Sequence, residues 1–320
     1  MKDLAIGVDL GGTKIATVLV GPKGEVLAED QRPTEAERGV EAVIDRLADS
    51  ARAAAGGRLA EVAAVGLGAP GPLNISQGLI FKAPNLPGWD NVPVARMLGA
   101  RLGMPISLEN DANAAAYAEW AAGAGRGARD MIYLTISTGI GGGLIAGGRL
   151  HHGRDDAAGE VGHMTVLPEG PPCGCGRRGC WETLCSGTAI AAEMVRRLAG
   201  GAHSRAQELA GGDPAAITAA HVAQAAREGD PVAASVLERA FFFLALGITN
   251  LIHLLNPDTI VIGGGVAKLG DQLFGPVRAL VRERAYPTLV EGLPIVPAAL
   301  GGRSGSLGAA LVARARQNKE

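Results

Sequence analysis

Two apolar runs rich in β-branched residues, Leu4–Asp9 (LAIGVD) and Ile15–Val20 (IATVLV), flank the turn Gly11-Gly12-Thr13-Lys14, a pattern that predicts a pair of strands joined by a glycine-rich turn. Apolar positions recurring at helical spacing from Gly39 to Ala55 predict a helix, and Val62–Gly68 predicts another strand. The strand predicted at Pro105–Leu108 ends in polar Glu109-Asn110-Asp111 and runs into an Ala-rich helix, Ala112–Gly123. Met131–Ser137 and Gly143–Ala146 then flank Thr138-Gly139-Ile140-Gly141-Gly142, repeating the opening device. Helices are expected at Thr188–Leu198, Thr218–Arg227 and Pro231–Leu255, a strand at Thr259–Ile262 before Gly263-Gly264-Gly265, and a terminal helix at Ser304–Gln317. Strands alternating with helices make this an α/β protein. The repeated device points to internal duplication, with a domain boundary near residues 110 to 125. Between them, Ala69–Gly88 is dense in proline and glycine and reads as a long irregular segment with one hairpin, a kind of loop that is commonly functional.

A chain of 320 residues has room for two domains. With 30 basic and 32 acidic side chains the formal charge is −2, which gives no broad field for nucleic acid; aromatics at 3% supply no stacking platform for single strands. Ala240–Leu255 carries Asn250 and His253 and is shorter than the roughly 20 residues a membrane span needs, so a buried helix is expected rather than a membrane segment. Asp3 and Asp9 interrupt the N-terminal apolar run, and without a basic region and cleavage site no signal peptide is expected; the expected location is the cytoplasm. Glycine, at 48 residues, is about twice its usual share and clusters beside the strands, as close backbone approach to a ligand would require.

Asp9-Leu10-Gly11-Gly12-Thr13-Lys14 matches neither the P-loop nor the dinucleotide-binding pattern, yet it suits phosphate: glycines let backbone N–H groups converge on an anion, Thr13 and Lys14 can donate, and Asp9 can hold a metal-bound water. Glu109-Asn110-Asp111 places carboxylates at a strand end, where they serve as helix caps or, for Asp111, as a base accepting a hydroxyl proton. All four cysteines, Cys173, Cys175, Cys180 and Cys185, fall in one short segment following Gly159-Glu160-Val161-Gly162-His163. C-x-C-x₄-C with a nearby histidine can make a closed Cys₃His zinc site, with either His163 or Cys185 as fourth ligand; a closed set is structural rather than catalytic. His151-His152 lacks ligand spacing and reads as exposed loop, Arg177-Arg178 as a solvated face, and Phe241-Phe242-Phe243 as core or subunit interface.

DLGGTK at 9 to 14, ENDANAAAYAE at 109 to 119, STGIGGG at 137 to 143, GEVGH at 159 to 163, CGCGRRGCWE at 173 to 182 and IGGG at 262 to 265 together resemble the ROK family of bacterial sugar kinases and repressors, and within it the glucokinases. The resemblance covers essentially the whole chain. It implies a two-domain actin-like, ribonuclease H-like ATPase fold with the active site in the cleft between a smaller domain, 1–112, to which a terminal helix at about 303–320 returns, and a larger one, 113–302. It implies ATP-dependent phosphorylation of glucose to glucose 6-phosphate with Asp111 as catalytic base. Sugar contacts carry over to Asn85, Asn110, Asp111, Glu160, His163 and Glu182, and nucleotide contacts to Asp9, Gly11, Gly12, Thr13, Lys14, Thr138, Gly139, Gly264 and Gly265. Asp9 is then the outer ligand of Mg²⁺, and structural Zn²⁺ is held by His163, Cys173, Cys175 and Cys180, with the second ring nitrogen of His163 turned to the sugar.

Kinases for N-acetylglucosamine, N-acetylmannosamine, allose or fructose share these motifs, leaving Leu73–Trp89 and local packing to choose the sugar. Polyphosphate is the alternative donor, although no extended basic groove favours it. The family's repressors carry a helix-turn-helix ahead of the kinase-like region, for which DLGGTK at residue 9 leaves no room; neither a DNA-binding regulator nor a non-catalytic sugar sensor is expected. The family also implies a homodimer or homotetramer.

Overall fold

The computed structural model describes residues 2–83 and 85–317. Its strands are β1 (Leu4–Leu10), β2 (Lys14–Val20), β3 (Val26–Pro33), β4 (Val62–Ala69), β5 (Leu73–Asn74), β6 (Leu79–Lys82), β7 (Asp90–Val92), β8 (Ile106–Asn110), β9 (Met131–Ile136), β10 (Ile140–Ala146), β11 (Arg149–Leu150), β12 (Thr259–Gly263) and β13 (Ile295–Pro297). Its α-helices are α1 (Val40–Ala55), α2 (Val94–Leu102), α3 (Asp111–Ala122), α4 (Glu182–Cys185), α5 (Gly187–Ala199), α6 (Arg205–Leu209), α7 (Ala219–Arg227), α8 (Pro231–Leu255), α9 (Asp271–Arg284), α10 (Pro287–Val290) and α11 (Ser304–Gln317).

Two five-stranded sheets have the same design. One runs β3-β2-β1-β4-β8 and the other β11-β10-β9-β12-β13, so in each the third, second, first, fourth and fifth strands lie in that order. β1, β2 and β3 pair antiparallel, and β4 and β8 continue the first sheet in parallel; β9, β12 and β13 are likewise parallel. Duplication read from two glycine turns is therefore a duplication of sheet topology, and the α/β class holds. Ala69–Gly88, where the sequence predicts one hairpin, holds one, β5–β6, and β7 beyond it extends the pair to a small three-stranded antiparallel sheet, β5-β6-β7.

Compact units comprise Met1–Ala128, Gly143–Gly159 and Ala299–Glu320 on one hand, and Arg129–Gly142 and Glu160–Ala298 on the other. The sequence reading divides the chain after residue 112 and returns 303–320 to the first part; residues 318–320 of that helix lie outside the described residues.

In the first unit, the core side of the sheet is covered by α1, which buries Val43, Ile44, Leu47, Ala48 and Ala51 and stops at Gly56 in the left-handed conformation, as a C-terminal glycine allows. The other side is covered by α11. Gly7, Gly66 and Gly308 let that helix sit almost on the backbone: an added β-carbon would stand 1.8 Å from the Ser306 carbonyl, 1.9 Å from that of Ala309 and 1.7 Å from that of Ala114, respectively. Alanines fill most of α3 for the same reason.

The second unit packs around α8, whose 25 residues begin at the Asp230 cap with Pro231 in the first turn and end at Asn256 in the left-handed conformation. This helix is long and apolar enough to cross a membrane, but Val236, Leu237, Phe241, Phe243, Leu244, Ile248 and Ile252 are buried in the unit. Trp181 is fully buried, donates from Nε1 to the Phe243 carbonyl at 2.7 Å, and packs so closely on Gly247 that an added β-carbon would stand 2.1 Å from its ring. Phe242 alone of the three phenylalanines is exposed, with Arg284 stacked 4.9 Å above its ring.

Candidate active site

In the first unit the parallel strands β1 and β8 end side by side with β4 between them, which brings the two polar motifs at their C-terminal ends together, as α/β sheets commonly do at ligand sites. Gly11 closes the turn after β1 by donating to the Lys14 carbonyl at 3.0 Å, and Thr34 Oγ1 donates to the Gly11 carbonyl at 2.7 Å. Thr13 and Lys14 are exposed. Gly12 packs on Asn85, whose Cβ would be 2.9 Å from an added β-carbon. At the end of β8, Asn110 caps α3 by accepting from the backbone N–H of Ala112 (2.9 Å) and Asn113 (3.1 Å). The capping reading thus holds for Asn110, leaving Asp111 as the first residue of the helix, half-buried, with Oδ1 accepting from Ala112 N–H at 2.7 Å. Asp9 feels this neighbour: burial and the Asp111 charge push its carboxyl up to about 7 against the opposing pull of Lys14. One site therefore gathers Asp9, Gly11, Gly12, Thr13, Lys14, Asn85, Asn110 and Asp111.

The second unit holds the remaining predicted residues. Thr138 is exposed on the turn between β9 and β10; Gly187 N–H donates to the Ser137 carbonyl at 2.7 Å, and the Thr188 hydroxyl donates to the Thr138 carbonyl. Gly264 follows β12 at φ +86, where a side chain would meet the Ile136 carbonyl at 2.4 Å, and Gly265 faces Ser137. The two glycine turns of this unit are thus adjacent. Glu182 lies at the first of them, with Oε2 accepting from Ile140 N–H at 3.4 Å.

Its other oxygen, Oε1, faces the cysteine loop, 3.2 Å from Cys173 Sγ and 3.5 Å from His163 Nδ1. His163, Cys173, Cys175 and Cys180 bring their donor atoms within 4.8 Å of one another, with Cys173 Sγ to His163 Nδ1 and Cys175 Sγ to Cys180 Sγ both at 3.6 Å. Tetrahedral zinc, with bonds of about 2.3 Å to sulfur and about 2.0 Å to nitrogen, demands donor separations of this size, so the set fits the ion. Cys185 is buried outside this group of four donors and donates to the Trp181 carbonyl at 3.4 Å. Burial pushes the Cys173 thiol up to about 12 and the Cys180 thiol upward as well, so a cation is what would draw thiolates from these two groups. Nε2 of His163 faces Glu160 at 3.9 Å, leaving that edge of the ring and the exposed Glu160 free of the sulfur cluster.

Buried Glu109, two residues before Asp111, gathers partners that the sequence did not announce. His152, read as exposed loop, is half-buried with Nε2 2.8 Å from Glu109 Oε2, and Arg316 donates to the same oxygen at 2.6 Å. No local pattern announces these contacts, because the partners lie 43 and 207 positions from Glu109. Only His151 of the pair is exposed, and Arg177 and Arg178 are exposed as expected.

Residues 5–316 match the family model described as "ROK family". The chain is 40% identical over 311 residues to a glucokinase of Thermotoga maritima, covering 97% of both chains, and 37% identical over 320 residues to a glucokinase of Streptomyces coelicolor, covering 97% of this chain and 98% of the relative. Among solved structures, a ROK family glucokinase of Streptomyces griseus in complex with glucose and AMPPNP superposes with a TM-score of 0.82 at 35% identity, covering 98% of this chain and 99% of that one.

Proposed function

Because the chain belongs to the ROK family, we propose that it transfers the γ-phosphoryl group of ATP to glucose, giving glucose 6-phosphate, with Asp111 as general base. The observation that carries this reading is the pairing of Asp111 with the Asp9–Lys14 turn: in the sheet register Asp9 lies level with Gly68, and Gly68 with Glu109, so the carboxylate that would take the hydroxyl proton stands beside the strand end that leads into the turn suited to phosphate. The relatives named glucokinase match over nearly their full length, which supports glucose over other hexoses.

Phosphoryl transfer asks a protein mostly for position and charge stabilisation, and the residues divide that work. Asn110 spends its side-chain oxygen on the cap of α3, keeping its amide donor for a sugar hydroxyl. Asp111 accepts the proton of the attacking hydroxyl, and Glu160, His163, Glu182 and Asn85 pair the remaining hydroxyls, since each buried one needs a partner. Backbone N–H groups at Gly12, Thr138, Gly139, Gly264 and Gly265, with Thr13 and Lys14, cradle the phosphates, while the N–H of Gly11 holds the turn closed on the Lys14 carbonyl. Asp9 would hold Mg²⁺ through water, and the ion supplies charge neutralisation on the phosphates when bound. Zinc on His163, Cys173, Cys175 and Cys180 would fix the ring of His163 while leaving Nε2 for the sugar. The enzyme works in the cytoplasm as a homodimer or homotetramer, which light scattering tests.

ADP release with Mg·ATP is the deciding experiment, run against glucose, mannose, fructose, N-acetylglucosamine and N-acetylmannosamine. Glucose is expected to lead, and Asp111→Asn to lower turnover by at least about 10²-fold with the fold intact. Preference for another sugar moves the substrate; sugar phosphate formed in a parallel run with polyphosphate but not with Mg·ATP moves the donor; normal turnover in Asp111→Asn overturns the assigned base.

A further inference from the structure

Glu109 is 1% exposed, and both of its oxygens are spoken for. Oε1 accepts from the backbone N–H of Asn110 at 3.0 Å and from Asn113 Nδ2 at 3.2 Å. Oε2 accepts from Arg316 at 2.6 Å and pairs with His152 Nε2 at 2.8 Å. The other terminal nitrogen of Arg316 donates to the Leu108 carbonyl at 2.7 Å and to Ser107 Oγ at 2.8 Å, so one guanidinium grips three successive residues of β8. A carboxylate so occupied touches no substrate. What it touches is the turn that presents the sugar-side groups: Asn110 is the next residue, Asp111 the one after, and Asn113 lies in the first turn of α3. The segment carrying His152 also reaches the loop expected to choose the sugar, since Asp156 Oδ2 accepts from Ile75 N–H at 2.8 Å.

A buried ion pair could serve as a plain staple between α11 and the sheet. Two features argue for more. All four partners of Glu109 converge within one residue of the strand end, and two of them, Asn110 N–H and Asn113, belong to the turn itself. The helix that supplies Arg316 also rests on Asp9 at its other end, through Gly305, so a single rigid element contacts both the phosphate side and the sugar side of the first unit's site. We propose that Arg316 and His152 are positioning residues for phosphoryl transfer, acting through Glu109 to hold Asn110 and Asp111 in register with the sugar. This rests on the assignment of Asp111 as base.

The test compares His152→Ala, Arg316→Ala and Arg316→Lys with the Asp111→Asn control in the full-length protein, with rates normalised to folded enzyme. Displacements of about 1 Å at reacting groups cost up to about 10²-fold, so Arg316→Ala is expected to lose roughly 10- to 100-fold in kcat/KM for glucose, His152→Ala less. Arg316→Lys should restore part of the loss, and KM for Mg·ATP should stay near that of the parent in all three. A mere staple would lower Tm and the folded fraction while leaving kcat and glucose KM per folded molecule unchanged, which would overturn the proposal. If Arg316→Ala does not fold, His152→Ala decides by the same readout, since His152 holds only the Glu109 carboxylate on β8, whereas Arg316 also holds Ser107 and the Leu108 carbonyl. Inactive Asp111→Asn beside normal His152 and Arg316 variants overturns this inference alone; active Asp111→Asn overturns the base and this inference with it.

Discussion

Gly305, in the first turn of the terminal helix, stands so close to Asp9 that a β-carbon there would lie 2.5 Å from Oδ2 of the carboxylate. The end of the chain thereby fixes the acid at the start of it, and any side chain at 305 must move Asp9 or the helix. Gly305→Ala is expected to cost about 1–3 kcal/mol, the range for overpacking, and to lower turnover with Mg·ATP by more than the same substitution at exposed Gly302, which meets nothing. Steady-state kinetics and thermal melts of the two variants check this; parental kinetics in Gly305→Ala would remove Asp9 from the phosphate machinery.

Local patterns carried much of this architecture. The Pro231–Leu255 and Ser304–Gln317 helices have the bounds that the apolar spacing predicts, because helical periodicity and terminal residues such as Asp230-Pro231 are local. The cysteine cluster was legible for the same reason, its four donors lying between residues 163 and 180. Edge strand β3 was not, since alternate half-buried and exposed positions with Glu29, Asp30 and Arg32 look like a polar loop. Helix α9 hid behind the internal Gly275-Pro276 pair. Glu109 was visible as one carboxylate among three polar residues, but its role depends on partners that only the folded chain brings near.

Metal content tests the sulfur cluster without any assay of activity. Purified protein should carry about one zinc per chain. Cys185→Ser should keep it, because that sulfur is engaged with the Trp181 carbonyl, whereas His163→Ala and Cys175→Ser should lose most of it. Elemental analysis after mild chelation reads the difference, and loss of zinc in Cys185→Ser would return that residue to the ligand set.

Asp230 predicts a pH dependence of stability. Burial would raise its carboxyl, but hydrogen bonds from Ser204 and from the backbone N–H groups of Ala233, Arg205 and Val232 outweigh burial and hold it below the usual 3.8. A depressed folded value means stability that is present above the unfolded value and lost as pH falls through the folded one. Asp230→Ala should therefore cost about 1–2 kcal/mol near neutral pH, as loss of a cap does. The gap to the parent should narrow as pH falls below the ordinary carboxylate range and through the lowered folded value, where the parental carboxyl itself becomes protonated. Urea midpoints across that range give the comparison, and a gap independent of pH would mean that the charge is not what holds the cap.

Gly264 and Gly265 separate folding from nucleotide binding. Gly264 sits at φ +86, and a β-carbon would meet the Ile136 carbonyl at 2.4 Å and the Ile136 nitrogen at 2.6 Å; both obstacles are backbone and cannot swing aside. Gly264→Ala must therefore distort the turn after β12 and is expected to lower Tm markedly. Gly265 has ordinary helical angles and its nearest neighbour is Ser137 Oγ at 3.7 Å, so alanine fits the apo fold. If the backbone at 265 approaches a phosphate, the added methyl obstructs the ligand alone. Gly265→Ala should then melt like the parent while its KM for ATP rises by about tenfold or more, at a cost of at least about 1.4 kcal/mol in binding. Unchanged ATP kinetics in a normally folded Gly265→Ala would take this turn out of the nucleotide site and leave phosphate binding in this unit to Thr138 and Gly139.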